Sequence, residues 1–420
     1  DAERQPASLW VRAVTRRPWM TIGAVVVLLG LCAVPASGLR LALTDNGFAE
    51  KGSQQRETYD AVAAAYGEGY NSPIVVIADV SQPSGSVAAV QGVARELSQL
   101  DGVEGVSLAT PNEDGTLAFV QIRPEKSQAD PATMELVRNI RSHAGDYESR
   151  YGLTNVMVTG QTAVAIDVAE ELNAALIPFG IVVVGLSLIL LMVVFRSIAV
   201  PVTATLGYLL SLGAGMGAVG AVFGWGWAAD LLAVSKVGAV ISFLPVIVMG
   251  VLFGLAMDYQ VFLVSRMREE WSRRRGDATD VTLEARREVA VAAVETGFLG
   301  SAKVVVAAAV IMIGVFMAFV HTDNVYVKPI ALGLTVGIAA DAFLVRMTLI
   351  PALMAALGEK AWWLPAWLDR LLPVVDVEGE GLEQTLEQEE SDTGESVRAE
   401  TESVDDQAED AEDSEAAVVS

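Results

Sequence analysis

The sequence predicts an α-helical membrane bundle of six transmembrane helices carrying one α+β domain outside the membrane. Three observations lead there. Of 420 residues, 52% are hydrophobic and 19% charged, although 52 acidic and 28 basic residues are present, so the apolar residues must be gathered in blocks. Six blocks are long enough to cross a bilayer. Between the first and second lies a long polar segment in which strand-like and helix-like periodicities alternate.

A bilayer core of about 30 Å needs about 20 apolar residues at 1.5 Å each. Runs that qualify lie at 20–39, 176–195, 200–223, 238–263, 302–320 and 329–350. The first is near full span length and is read as a span rather than a cleavable leader. Arg12, Arg16 and Arg17 precede it. Arg196 sits between spans 2 and 3, and seven arginines from Arg266 to Arg287 follow span 4. The opposite connections carry little more than Lys236 and Lys328. An excess of basic residues marks the cytoplasmic side. Residues 1–19, a basic loop at 264–301 and both termini are therefore expected inside the cell, and 40–175 outside. Residues 351–375, with Trp362, Trp363 and Trp367, are expected to lie along the inner interface.

Within the outside segment, 73–80 (PIVVIADV) reads as a strand and 86–100 as a helix, with Val90, Val93, Ala94 and Leu97 on one face. Residues 103–109 and 117–122 read as paired strands around the turn Asn112-Glu113-Asp114-Gly115. A helix is expected from Pro131 to Tyr147 and a last strand at 155–159. The order β-α-β-β-α-β is that of a ferredoxin-like unit. Residues 161–176 look helical and run into span 2, so motion outside the membrane and within it would be shared.

Charge excludes one class of function. The net charge is −24, concentrated in 45–172 and in 376–420. The latter stretch has 18 acidic residues against Arg398 alone. Nucleic-acid binding requires a basic face. The acidic tail lacks aromatic residues and is expected to be disordered. Cys32 is the sole cysteine, and His143 and His321 the only histidines, so no zinc spacing or nucleophilic triad is present. No cofactor or metal is expected. The chain opens on Asp1 rather than Met and is expected to be a piece of a longer protein.

Chemistry concentrates in span 4, in Gly254-Leu255-Ala256-Met257-Asp258-Tyr259-Gln260-Val261-Phe262-Leu263. A carboxylate among hydrocarbon costs several kcal/mol, so such a residue faces protein or water and is functional by default. Burial favours the neutral carboxyl, which suits a group that takes up and releases protons. Asp258 admits two readings: a proton carrier, or a boundary residue beside Arg266. Tyr259 offers a hydroxyl to a carboxylate on a neighbouring helix. In span 6, Asp341 precedes Arg346 by five residues, a spacing that does not set them on one face of an α-helix. The expectation is a structural ion pair with another helix, in preference to proton carriage by Asp341. Glycines crowd span 3 and permit close packing.

The runs MDYQVFLVSRMREEW and DAFLVRMTLIPALM resemble the MMPL family of the resistance-nodulation-division superfamily. So does one span followed by a large outside domain and five more spans. The resemblance covers about residues 8–372. It implies two such halves per transporter, each with six spans, an outer porter domain and an Asp-Tyr pair in a proton relay. Carried over, Asp258 and Tyr259 are this half's pair and Phe262 the aromatic near it. The cargo implied is lipid or another hydrophobic molecule, exported at the expense of the proton gradient. The acidic tail and the WWLPAWLDRLLP segment resemble a C-terminal half, whose partner is the N-terminal half or a second copy. A membrane scaffold of the same superfamily is the competing expectation. A membrane enzyme is disfavoured by the lack of a nucleophile, metal ligands or a phosphate loop.

Overall fold

The computed structural model describes residues 6–276 and 283–370. The chain starts with a short helix, α1 (Pro6–Arg16), and turns at Arg17 into α2 (Pro18–Ala33), whose first residue is a proline suited to a helix start. After a tight turn ending at Gly38, two residues form β1 (Leu41–Ala42), and α3 (Gln54–Tyr66) follows with Ser53 accepting from Arg56 N as its N-cap.

The α+β unit then runs β2 (Ile74–Val80), α4 (Ser86–Leu97), β3 (Val103–Pro111), β4 (Leu117–Pro124), α5 (Pro131–Ser142), α6 (Ala144–Tyr151) and β5 (Leu153–Thr159). Its sheet is antiparallel throughout, in the order β3-β4-β2-β5. The β3–β4 turn closes as its sequence demands. Asn112 Oδ1 accepts from Leu117 N at 2.9 Å, and Gly115 takes a positive φ of 67°. Alternate residues of β2 and β4 turn inward, and Ile74, Val76, Val120 and Ile122 pack with Val90, Leu97, Val137 and Ile140 in one core. One element differs from expectation: the second helix breaks at His143, whose backbone leaves the helical region (φ −98°, ψ 9°), so α5 and α6 are separate.

From Gln161 the chain enters the bundle without interruption. Helix α7 (Gln161–Phe195) is continuous over 35 residues, about 53 Å at 1.5 Å per residue. Its first turns bury Ala163 and Ile166 in the α+β core and its last bury Leu191 and Phe195 in the bundle. Helix α8 (Ala199–Val219) continues through a π-turn to Gly224. Next comes β6 (Val240–Ile241), then α9 (Leu244–Gly276), α10 (Leu283–Val320), and a last span made of α11 (Val327–Ala339), a π-helical stretch (Ala340–Leu349) and α12 (Ile350–Leu357). Among the described residues, six helices are long and apolar enough to cross a membrane, matching the six predicted runs.

Spans 3 and 6 form the centre. Their most apolar windows are 61% and 72% buried, against 17% for spans 1, 2 and 5. Small residues explain the approach. A Cβ on Gly215 would collide with the Gly333 carbonyl of span 6, and one on Gly217 with the Cys32 carbonyl of span 1.

Two boundaries differ from the sequence expectation. The apolar run at 238–263 is helical only from Leu244, because Val240 and Ile241 pair in parallel with Leu41 and Ala42. The basic stretch after span 4 is not a loop through 264–301. Helix α9 persists to Gly276 and α10 begins at Leu283. Glu269 pairs with Arg266 (2.9 Å), and Glu270 with Arg273 (2.5 Å) and Arg274 (3.1 Å), at helical spacings that support extension beyond the apolar core. The expected tail at 376–420 lies outside the described residues.

Candidate functional site

Helix α9 presents one exposed stripe: Val251, Gly254, Asp258 and Phe262 recur every three to four residues and are open to the surroundings of this chain. Asp258 stands fourteen residues past Leu244, about 21 Å along the helix. That distance is shorter than the roughly 30 Å of a bilayer core. Among the described residues the carboxylate makes no ion pair or hydrogen bond, and Arg266 is occupied by Glu269. Gly254, one turn away, has nothing within 4 Å of where a Cβ would stand, so a second surface has room to approach the carboxylate closely.

The opposite flank of the same helix faces a buried polar cluster. Gln260 is 3% exposed, and Asp341 and Arg346 of span 6 are buried beside it. Arg346 Nε donates to Asp341 Oδ2 at 2.5 Å, and its Nη2 donates to the Ala256 carbonyl, two residues before Asp258. The partner of Asp341 is therefore not on another helix. In an α-helix five residues advance about 140° beyond a full turn. The π-helical stretch, bonded i to i+5, widens the turn so that residue 346 falls nearly above 341. Tyr259, half-buried, lies with its ring centroid 5.6 Å from the Arg346 guanidinium carbon, a cation–π contact. A narrow crevice lined by Tyr208, Gln260, Asp341 and Arg346 joins spans 3, 4 and 6.

Two donors in this crevice have no protein partner: Arg346 Nη1 and Gln260 Nε2. Leaving such groups unmet in an interior costs about 1–3 kcal/mol each, more for a charge.

Each residue singled out from sequence is thus placed. Asp258 and Phe262 share the open stripe. Tyr259 sits between the stripe and the buried pair, and Asp341 and Arg346 form that pair. Sequence reasoning passed over Gln260 and Tyr208. The signal for Gln260 was available: a second polar side chain two residues beyond Asp258 in an apolar run.

Comparison with known proteins gives the family. The family model described as MMPL family matches residues 49–373. Membrane protein YdfJ of Bacillus subtilis is 37% identical over 390 residues, 93% of this chain and 51% of YdfJ. The mycolic acid-containing lipids exporter MmpL11 of Mycolicibacterium smegmatis is 30% identical over 88% of this chain and 38% of the relative. The heme uptake protein MmpL11 of Mycobacterium tuberculosis is 30% identical over 89% and 38%. The chain thus spans about half the length of the first relative and less of the others. With its six apolar helices and a family match covering most of its length, this chain is a multi-pass membrane protein and belongs to the MMPL family, a family of transporters rather than enzymes.

Proposed function

We propose that this chain is one half of a twelve-span transporter that uses the proton gradient to export lipids or other hydrophobic molecules across the cytoplasmic membrane. The observation that carries the reading is the stripe of α9, where an unpartnered carboxylate stands among Val251, Gly254 and Phe262. Acyl chains are a costly neighbour for that group. The surface it meets is then protein: the matching face of the N-terminal half or of a second copy, bringing its own acid and hydroxyl to Asp258 and Tyr259. The resemblance to MMPL transporters supports the same pairing.

In this reading a proton from outside neutralises Asp258, and the charge repulsion or hydrogen bonding that held the two halves in one arrangement is released. One charge crossing about 100 mV yields about 2.3 kcal/mol, enough to bias a conformational change by more than tenfold. The Asp341–Arg346 pair acts as a brace. Through the Ala256 carbonyl it holds span 6 against the turn of α9 that bears Asp258. We read the β2–β5 unit as the ferredoxin-like porter domain, on the strength of its strand order and the helices between its strands. It receives motion through α7 and through the β1–β6 ladder, which ties the linker after span 1 to the residues just before α9. We read both termini as cytoplasmic, on the strength of the basic flanks.

Two relatives support large, mainly apolar cargo: one is an exporter of mycolic acid-containing lipids and the other a heme uptake protein. The test is Asp258→Asn in the intact transporter, reconstituted in vesicles with an imposed proton gradient. Transport is expected to stop while the amount of protein in the membrane is unchanged. Normal transport by that variant would remove the relay. A scaffold of the same fold, the competing reading, would hold its lipid regardless of an uncoupler.

A further inference from the structure

Helix α1 is packed on one side and bare on the other. Ser8, Val11, Val14 and Thr15 are buried, against α10 and span 6. Thr15 Oγ1 donates to Glu295 of α10 at 3.0 Å, and Arg12 lies 3.9 Å from the same carboxylate. The bare side shows Leu9, Arg16 and Arg17, followed by Trp19 and Met20 at the start of α2. Since α2 is a span that begins at Pro18, Arg16 and Arg17 stand at its threshold, at headgroup depth. Arginine beside exposed tryptophan is the composition of a helix lying in a membrane interface.

A second observation connects this helix to the buried pair. Trp10 Nε1 donates to the Met347 carbonyl at 3.0 Å. Met347 follows Arg346 directly and belongs to the π-helical stretch that sets the distance between Arg346 and Asp341. The indole thus ties α1 to the segment on which the brace depends.

We propose that α1 reads anionic lipid: Arg16 and Arg17 bind the anionic phospholipid headgroups of the leaflet at the basic end of the bundle, and the Trp10–Met347 hydrogen bond passes that docking to the π-helical segment of span 6. Charge complementarity selects the partner. Glu295, the acid that α1 touches, is already engaged by Thr15 and Arg12, leaving the outward arginines facing the bilayer surface. Docked headgroups hold α1 in place, so the indole donor leaves Met347 less often and the wide turn opens less often. This inference rests on the membrane-spanning bundle and not on the proton relay, and its test needs no transport.

The experiment is hydrogen–deuterium exchange, read by mass spectrometry, on the full chain in nanodiscs of phosphatidylcholine alone or mixed with phosphatidylglycerol. With phosphatidylglycerol, peptides covering 6–17 and 340–352 are expected to exchange more slowly, on the order of tenfold for two arginines near an anionic surface. Arg16→Gln with Arg17→Gln, both exposed and safe for folding, should abolish the difference in both peptides. Trp10→Phe keeps the ring and loses the N–H. It should keep the lipid effect at 6–17 and lose it at 340–352. Equal exchange of the wild-type chain in the two lipids would overturn the proposal. So would a Trp10→Phe chain that retains the lipid effect at 340–352.

Discussion

Asp341 and Arg346 are five residues apart and yet bonded to each other at 2.5 Å, because the helix between them is wound wide. Their side chains are 8% and 2% exposed. A pair so deeply desolvated adds little over a well-packed apolar core, but removing one member strands the other. Asp341→Asn alone is expected to lower stability by about 3–5 kcal/mol, read as a fall in the thermal unfolding temperature in detergent or nanodiscs. Asp341→Leu combined with Arg346→Met should recover most of that loss. A double variant as unstable as the single one would refute the brace.

Tyr259 makes a sharper test of the site. Tyr259→Phe keeps the ring over Arg346 and removes only the hydroxyl. The unfolding temperature should barely move, since the cation–π contact survives. Transport should fall by about tenfold or more, the worth of one hydrogen bond to a charged group. A fall in stability with unchanged transport would place the residue in the packing instead.

Gly217 and Gly185 separate contact from propensity. A side chain at 217 overlaps the Cys32 carbonyl, whereas 185 has nothing within 4 Å. Gly217→Val is expected to cost about 1–3 kcal/mol or more through forced separation of spans 1 and 3. Gly185→Ala should be neutral or slightly stabilising, by up to about 1 kcal/mol, as for a glycine replaced inside a helix. Thermal unfolding of the two variants side by side checks both.

The length of α7 matters because its outer and membrane turns belong to one helix, which lacks a single ladder donor at Pro178. Two glycines inserted after Asn173 would interrupt it between the α+β unit and the bundle. Each unit has its own core, so both should still fold, with unchanged helix content by circular dichroism. Transport should fall at least about tenfold if rigid coupling matters, in line with the sensitivity of positioned sites to displacement.

The spans were legible because twenty apolar residues in a row have one solution in a bilayer. The α+β unit was legible because Ile74, Val76 and Ala78 alternate inward while Val90, Val93 and Leu97 recur at helical spacing. The π-helical stretch was not. No residue preference announces a wide turn, so Asp341 and Arg346 looked misaligned and a partner on another helix was expected. The helical extension past Leu263 was also missed, since charge was read as loop when Glu270 and its arginines support a helix. Asp258 was singled out from its chemistry, but its exposure in this chain depends on which face of α9 packs inward. That is decided by packing against spans 3, 5 and 6.

The two-residue ladder between Leu41–Ala42 and Val240–Ile241 also has a bearing on biogenesis. Its strands flank spans 2 and 3 and the whole α+β unit, so the chain emerging from the ribosome cannot complete this contact until three spans have been delivered to the bilayer. Closing so large a loop is slow relative to local helix formation, and domains fold in the order they emerge. The α+β unit therefore matures first on a loose tether. Tightening of that tether is a late event that registers correct insertion of everything before α9.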